Sequence, residues 1–240
     1  MKNILTTFKE ARTNNKKLLA ILIDPDKFND ENIIEVINTQ QVDFVLVGGS
    51  LITHGNLELT IQRLKSKCNK PIIIFPSSAS HISENADAIF LLSLISGRNP
   101  EYLISQHVQA APIISKLNIE TLSVSYILID GGNLTSVAYI SNTTPIPAEK
   151  SDLILATALA GELIGHQLIY LEAGSGAKTN VSDHSIRLVK SQTNNPIVVG
   201  GGIRNAQTAK KLWEAGADCL VIGNAAENNL SIIEEIAKAR

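Results

Sequence analysis

The sequence predicts an α/β protein folded as a modified (β/α)₈ TIM barrel, a single domain over residues 1–240 whose third helix is missing or replaced by a loop. Three observations predict it: apolar, β-branched runs recur eight times, helical patterns separate most of them, and the last two runs end in glycines, at Gly200–Gly202 and at Gly223. Barrels of ~200–250 residues commonly form one domain, and many bind a phosphate after the last two strands.

The eight predicted strands are nearly continuous apolar runs rather than alternating ones. Strands that are hydrophobic on both faces are typical of a parallel sheet covered by helices. In chain order the predicted strands are Leu18–Ile23, Phe44–Val47, Ile72–Phe75, Ala88–Leu94, Leu122–Ile129, Leu168–Glu172, Ile197–Val199 and Cys219–Ile222. They supply the eight strands that a closed barrel of this class requires.

Helical patterns lie between most of these strands, with one exception. The predicted helices are Asp30–Thr39, Leu57–Lys67, Pro100–Leu117, Ser151–Ile164, Ser182–Ser191, Ala206–Ala215 and Leu230–Lys238. The third connection, Pro76 to Asp87, has only twelve residues. A crossover with its helix usually needs ~10–12 or more, so this connection can scarcely hold a packed helix as well as its turns. We therefore expect no helix there, and an apolar groove on that flank suited to a long hydrocarbon ligand.

The longest stretch without a periodic pattern is Gly131–Lys150, which follows the fifth predicted strand. Long loops in compact domains are usually functional, and this one begins at the carboxyl end of a strand, where barrels place their active sites. We expect it to form a lid.

Composition narrows the functional classes. Apolar residues make up 44%, charged residues 18%, and the net charge is −2, so nucleic acid is not an expected partner.

Two cysteines, Cys68 and Cys219, are too few for a disulfide framework and favour a cytoplasmic location. Residues 1–17 are polar and charged, and no apolar run reaches ~18 residues, so no stable membrane insertion is expected. Apolar helices on barrel flanks predict a homo-oligomer.

Asp24 and Ser50 follow the first and second predicted strands. A carboxylate and a hydroxyl at the ends of adjacent strands are hard oxygen ligands of the kind that Mg²⁺ accepts, with water and substrate phosphate completing the octahedron. Asp24 is also explained as a turn residue before Pro25 and Ser50 as a helix cap, so the Mg²⁺ prediction depends on the pair. Asp26 is explained as a turn residue, with Lys27 solvated beside it.

The sixth strand ends in Tyr170-Leu171-Glu172-Ala173-Gly174-Ser175-Gly176. Glu172 can accept hydrogen bonds from substrate hydroxyls or take a proton as a general base, while Ser175 and Gly176 add donors to a phosphate cradle. A purely structural connector explains the glycines but not the acid beside them. We therefore predict Glu172, together with Asp24, as a catalytic residue.

The glycines after the seventh and eighth strands predict a phosphate site. Without a Cβ atom, Gly202 and Gly223 let backbone N–H groups approach an anion, and the next helix points its positive end at the same place. Two tight turns that bind nothing are the alternative. The repeated βα pattern around the pair favours the phosphate site.

These motifs, in this order, resemble the geranylgeranylglyceryl phosphate synthase family and its bacterial relatives that use other prenyl lengths. The resemblance spans nearly the whole chain. The matching elements are Ile23-Asp24-Pro25-Asp26, Val47-Gly48-Gly49-Ser50, Phe75-Pro76-Ser77, Tyr170-Leu171-Glu172-Ala173-Gly174-Ser175-Gly176, Val199-Gly200-Gly201-Gly202-Ile203-Arg204 and Gly223-Asn224.

The resemblance implies a Mg²⁺-dependent prenyltransferase that joins a prenyl diphosphate, geranylgeranyl diphosphate being the expected donor, to the primary hydroxyl of sn-glycerol 1-phosphate. It also implies a barrel without its third helix and a Mg²⁺ site at Asp24 and Ser50. The implied glycerol phosphate site is Tyr170, Leu171, Glu172, Ala173, Gly174, Ser175, Gly176, Gly201, Gly202, Gly223 and Asn224. Some members have lysine where this chain has Leu22, which leaves the diphosphate contacts and the prenyl length open.

Two other functions fit parts of the pattern. A phosphosugar isomerase or cyclase would use Asp24 and Asp130 as an acid–base pair across the barrel mouth, although Asp130-Gly131-Gly132 is also an ordinary turn. A non-catalytic sensor of a phosphorylated ligand would need only the glycines. A Schiff-base aldolase is disfavoured because no lysine lies within Leu168–Glu172.

Overall fold

The computed structural model describes residues 3–29 and 31–240, in which eight parallel strands form one closed barrel in chain order. The strands are β1 Leu18–Ile23, β2 Phe44–Gly48, β3 Ile72–Phe75, β4 Ala88–Leu94, β5 Glu120–Leu128, β6 Leu168–Glu172, β7 Ile197–Gly200 and β8 Cys219–Ile222. The predicted barrel is confirmed, and each predicted strand end lies within two residues of the observed one.

Helices surround the barrel. They are α1 Ile4–Asn14, α2 Asn32–Thr39, α3 Leu57–Lys67, α4 Gln106–Ile114, α5 Ser136–Ser141, α6 Ser151–Leu163, α7 Asp183–Gln192, α8 Ala206–Ala215, α9 Asn224–Asn228 and α10 Ser231–Ala237. A π-helical turn, Glu101–Ser105, leads directly into α4. Asp30, the predicted start of the second helix, lies outside the described residues. In the part of the chain that is described, no helix is long and apolar enough to cross a bilayer.

The connection from β3 to β4, residues 76–87, contains no helix, as the sequence predicted. Asp87 fixes its end: the backbone N–H of Ile72 donates to the Asp87 carboxylate at 2.7 Å, and Lys65 pairs with the same carboxylate at 2.8 Å. The short loop therefore returns directly to the sheet and leaves this flank without a helix.

Side chains of the strands alternate between two apolar cores. Leu18, Ala20 and Leu46 point into the barrel, whereas Leu19 and Ile21 pack against the surrounding helices. Both faces of each strand are buried, which explains why the strands are continuous apolar runs.

Helix α1 was not predicted, because residues 1–17 are polar in overall composition. Its buried residues Ile4, Phe8 and Ala11 nevertheless share one helical face. The Phe8 ring stacks on Phe44 with centroids 4.9 Å apart, and the backbone N–H groups of Ile4 and Leu5 donate to the Glu120 carboxylate. These contacts place α1 across the amino-terminal end of the barrel, where it closes the interior core.

The segment 131–150 is less irregular than predicted, because it contains helix α5. Ile129 also forms an isolated parallel bridge with Ile146, which returns the segment to the end of β5. The segment predicted to be a lid therefore contains a short helix and is attached to the end of β5 through Ile146; its role as a lid stays a prediction.

Candidate active site

A cavity of about 610 Å³, here called the mouth, opens at the carboxyl ends of the strands. Of the predicted site residues it is lined by Asp24, Ser50, Tyr170, Glu172, Ser175, Gly176, Gly201, Gly202, Gly223 and Asn224. Three members of the predicted glycerol phosphate site lie behind it. Leu171 and Ala173 belong to the outer core, as strand alternation requires, and the Gly174 N–H is bonded to Glu172.

Glu172 ends β6 and is 7% exposed. Burial raises the pKa of its carboxyl to about 7, against hydrogen bonds from the Gly174 N–H and the hydroxyls of Tyr170 and Tyr126 that lower it. The Gly174 nitrogen lies 2.6 Å from Glu172 Oε1. A carboxylate oriented by three donors, with a pKa near neutrality, is suited to act as a general base.

Two glycines of β7 make room for this carboxylate. A Cβ atom on Gly200 would lie 2.4 Å from the Tyr170 hydroxyl and 2.8 Å from Glu172 Oε2. On Gly201, whose φ is +93°, it would lie 2.5 Å from Glu172 Oε1. The glycine run predicted a phosphate cradle, but its first two members are required by the packing of Glu172. Gly202 and Gly223 also line the mouth, and without a Cβ atom their backbone is accessible to an anion.

Asp24 and Ser50 come together where β1 and β2 end, and both line the mouth. A Cβ atom on Gly49, the residue before Ser50, would lie 3.5 to 3.7 Å from the Asp24 carboxylate, so the loop passes directly beside it. In residues 3–29 and 31–240 no group of three or more His, Cys, Asp or Glu side chains is placed to hold a metal. Any ion at Asp24 and Ser50 would therefore need water or substrate oxygens to complete its coordination.

Asp26 has a structural role. Its carboxylate accepts hydrogen bonds from the backbone N–H groups of Thr53, His54 and Gly55 and from the Thr53 hydroxyl. Burial works against ionisation, but these donors hold the pKa of Asp26 well below its ordinary value. Asp26 thus fastens the loop after β2 to the loop after β1, in agreement with its interpretation as a turn residue.

Lys27 is not simply solvated, in contrast to the expectation from sequence. Its ammonium nitrogen lies 3.4 Å from Asp24 Oδ2, 3.2 Å from Glu227 Oε2 and 3.1 Å from Asn224 Oδ1. Burial lowers the pKa of Lys27, but the two carboxylates outweigh it and raise the pKa. Lys27 therefore links the end of β1 to helix α9, which follows β8.

A second cavity of about 90 Å³, here called the groove, occupies the flank where the helix after β3 is absent. Its apolar lining comes from the loop 76–87, β4, α4 and α5, and includes Ile82, Leu91 and Ala110. The structure thus has the apolar groove that the short connection predicted. The residues that line both cavities are Gly49, Ser50, Phe75, Tyr126 and Val137.

Sequence reasoning missed Tyr126, which lies inside the predicted fifth strand. Its ring centroid is 5.2 Å from that of Tyr170 and 5.9 Å from that of Phe75, so three aromatic rings meet beneath the mouth. Tyr126 and Tyr170 are register partners on adjacent strands. Alternation along β5 could have indicated that Tyr126 points inward.

Asp130 does not join this site. It is exposed, does not line the mouth, and its Oδ1 accepts the backbone N–H of Gly132 at 2.8 Å. The acid–base pair required by the isomerase interpretation is therefore not assembled, and Asp130 is a turn residue.

The model of the PcrB family matches residues 11–240. The chain belongs to the PcrB family. This match covers the whole barrel from the end of α1 onward and every residue of the site described above.

Curated relatives agree with this assignment. The chain is 50% identical over 230 residues to a geranylgeranylglyceryl phosphate synthase of Zunongwangia profunda, covering 95% of this chain and 98% of the relative. It is 45% identical over 239 residues to the protein of that name from Chitinophaga pinensis, covering 98% and 95%. These relatives support the prenyltransferase interpretation over the phosphosugar isomerase.

Among solved structures, the chain is similar to (S)-3-O-geranylgeranylglyceryl phosphate synthase from Thermoplasma acidophilum in complex with its substrate sn-glycerol-1-phosphate. The TM-score is 0.92 at 34% identity, and the match covers 100% of this chain and 98% of the other. The barrel fold is therefore shared over all of this chain and nearly all of the other.

Proposed function

We propose that this PcrB-family protein transfers a prenyl group, with geranylgeranyl diphosphate as donor, to the primary hydroxyl of sn-glycerol 1-phosphate. The observation that carries the proposal is the meeting of a polar mouth with an apolar groove at Ser50, Phe75 and Tyr126. With its diphosphate in the polar mouth and its hydrocarbon tail in the apolar groove, a prenyl diphosphate has the carbon that joins them at the boundary between the two cavities. The acceptor, which is entirely polar, fits the mouth alone.

Glycerol phosphate is placed along the ends of β6, β7 and β8. Gly202 and Gly223 line the mouth with backbone that no Cβ atom covers, and Ser175 and Gly176 add donors on the β6 side. Glu172 then lies within the mouth where the glycerol hydroxyls must be. The Thermoplasma acidophilum protein, with sn-glycerol-1-phosphate in its crystal structure, supports this choice of acceptor.

The donor chemistry of Asp24 and Ser50 fits Mg²⁺, since both supply hard oxygens and the loop beside them has a glycine at position 49. These two residues would hold the ion. When bound, Mg²⁺ neutralises the negative charge that grows on the diphosphate as the allylic C–O bond breaks.

Glu172 acts on the acceptor. Its carboxylate, fixed by the Gly174 N–H and two tyrosine hydroxyls, orients the primary hydroxyl of glycerol phosphate and takes its proton. The hydroxyl oxygen forms a bond to the first carbon of the prenyl group, and the bond from that carbon to the diphosphate breaks. Diphosphate leaves with the bonding electrons, and the proton remains on Glu172 until solvent removes it.

The hydrocarbon tail lies in the groove. Ile82, Leu91 and Ala110 line the flank that a helix covers in an unmodified barrel. Each methylene removed from water contributes about 0.8 kcal/mol, so the groove favours a long chain until it ends. The choice of a donor with 20 carbons rests on the family to which the chain belongs.

The test is incubation of the purified chain with sn-glycerol 1-phosphate, each prenyl diphosphate in turn, and Mg²⁺. We expect an organic-extractable phosphate ether and free diphosphate in equal amounts, with no product when the metal is chelated. Phosphosugars serve as control substrates and should remain unchanged. Absence of the ether from a folded chain that binds neither substrate would refute the proposal.

The cytoplasmic location and the homo-oligomer stay predictions from the sequence. Sedimentation at several protein concentrations tests the second of them. A monomer at the concentrations used for the assay would contradict it.

A further inference from the structure

We propose that Lys27 provides the cation that binds the phosphate group of the acceptor, a role that builds on the proposed function. The charged side chains that line the mouth, among the residues described, are Asp24, Lys27, Glu172, Arg204 and Glu227. A phosphate dianion entering this cavity meets more carboxylates than cations, so the position of each cation matters.

Arg204 lies on the β7 side of the mouth and is already bonded to a backbone carbonyl. Its Nη2 donates to the backbone carbonyl of Ala177 at 2.8 Å, and the residue is exposed at the outer edge of the mouth. Lys27, in contrast, is half exposed and its ammonium lies 3.1 Å from Asn224 Oδ1, beside the open backbone at Gly223. Lys27 is therefore the cation on the β8 side of the mouth.

The β1 residue that lies beside Gly223 is uncharged and so cannot pair with a phosphate. Leu22 lines the mouth, and a Cβ atom on Gly223 would lie 3.6 Å from its Cβ and Cδ2 atoms. The side chain nearest to Gly223 is thus apolar, although this is where an anion approaches the backbone. Lys27, five residues later, reaches the same strand end from the loop after β1.

The partners of Lys27 allow it to change its contacts. Asp24 lies 3.4 Å away and Glu227 3.2 Å away, and both are partly buried, whereas the Lys27 side chain is half exposed. The phosphate dianion competes with these two carboxylates for the exposed ammonium, which turns toward it. Until the phosphate binds, Glu227 holds the Lys27 ammonium at the β8 end of the mouth.

The first measurement is calorimetric binding of sn-glycerol 1-phosphate to the full chain, without Mg²⁺ or prenyl donor. Lys27→Met removes the charge and keeps most of the side-chain length. We expect about ten- to hundredfold weaker binding, as for other hydrogen bonds to charged groups, and a shallower dependence on salt. The control is Lys178→Met, since Lys178 is exposed and does not line the mouth; its affinity should match the unmodified protein.

Two further variants separate a phosphate contact from a purely structural ion pair. Leu22→Lys introduced into Lys27→Met places an ammonium beside Gly223 and should recover most of the lost affinity. Glu227→Gln removes one competitor for Lys27 and should tighten binding a few-fold. The gain from Glu227→Gln should disappear in the Lys27→Met background. An equal gain in both backgrounds would mean that Glu227 repels the phosphate by its own charge and that Lys27 does not bind it.

The outcomes distinguish this inference from the proposed function. If the unmodified chain fails to bind glycerol phosphate, the proposed function fails. If it binds, but Lys27→Met and Lys178→Met bind equally well, only the role of Lys27 is overturned. Loss of binding to Mg²⁺-diphosphate with unchanged binding of glycerol phosphate would overturn it too, since Lys27 would then serve the donor.

Discussion

The mouth and the groove lie side by side at one end of the barrel, yet their physical character is opposite. The mouth measures about 610 Å³ and carries charged side chains and exposed glycine backbone, whereas the groove measures about 90 Å³ and is mostly apolar. The mouth is made by turns after the strands. The groove results from the absence of a helix after β3.

This contrast shows how one barrel can hold two reactants of different solubility. Backbone N–H groups and charged side chains bind the polar reactant in the mouth, while burial of apolar surface binds the hydrocarbon chain in the groove. Ser50, Phe75 and Tyr126 line both cavities, so bond formation is confined to the place where the two meet. Variants that damage one side should leave binding to the other side intact.

The largest effect is expected from Asp24→Asn, which removes a formal charge on the mouth side and nearly keeps the shape. Turnover should fall roughly 10²–10³-fold or more, because charge on the leaving diphosphate is no longer neutralised by a metal at this position. Calorimetry should show glycerol phosphate binding largely intact. Equal turnover at saturating Mg²⁺ would rule out Asp24 as a metal ligand.

Glu172→Gln should lower kcat about 10²-fold, the lower end for a general base, since the base is lost but the acceptor for the Gly174 N–H is kept. In the unmodified protein only the ionised carboxylate accepts a proton. With its pKa raised to about 7, kcat/KM should rise about tenfold per pH unit below pH 7 and level off above it. A profile that is flat between pH 6 and 8 would contradict this assignment.

The groove side is tested by chain length. Efficiency should rise from geranyl through farnesyl to geranylgeranyl diphosphate, because each further methylene in contact contributes about 0.8 kcal/mol. Ala110→Phe places a ring in the groove wall and should shift the preference to a shorter donor, whereas Ala111→Phe, on the exposed face of the same helix, should not. Equal efficiency with all three donors would mean that the protein does not hold the tail.

The smallest effect is expected from Gly202→Val, at φ +71°, where a Cβ atom would lie 3.0 Å from the Ala177 carbonyl oxygen. Binding of glycerol phosphate should weaken about tenfold through backbone strain and lost anion approach, with binding of the prenyl donor unchanged. Gly165→Val is the matched control, since Gly165 has φ +95° but lies far from the mouth. A selective loss of donor binding would reverse the assignment of the two sides.

The sequence predicted the strands closely because both of their faces are buried and the apolar runs carry their length. It also predicted the groove, since twelve residues between β3 and β4 leave no room for a helix. It missed α1, whose buried residues Ile4, Phe8 and Ala11 are few and have threonines and charged residues between them, although their spacing is helical. The polar overall composition of residues 1–17 concealed the helical spacing of these three residues.

The site was predicted where one strand end carries one distinctive residue, as with Asp24, Ser50 and Glu172. Contacts between strand ends were not predictable, because they depend on how the barrel closes. Lys27 reaches Glu227 across 200 positions of sequence, and Tyr126 meets Glu172 from the neighbouring strand. Likewise, nothing in the glycine run of β7 indicated that Gly200 and Gly201 are required by a buried carboxylate.

The burial of Glu172 affects the stability of the folded protein. The unfolded chain releases this proton near pH 4.5, while the folded protein keeps it to about pH 7, so the free energy of unfolding falls as pH rises between these values. At about 1.4 kcal/mol per pH unit, the loss is about 3 kcal/mol. Urea unfolding should therefore show Glu172→Gln gaining stability relative to the unmodified chain between pH 5 and pH 8. Burial of Glu172 therefore lowers the free energy of unfolding most at the pH values at which its carboxylate is ionised and can act as a base.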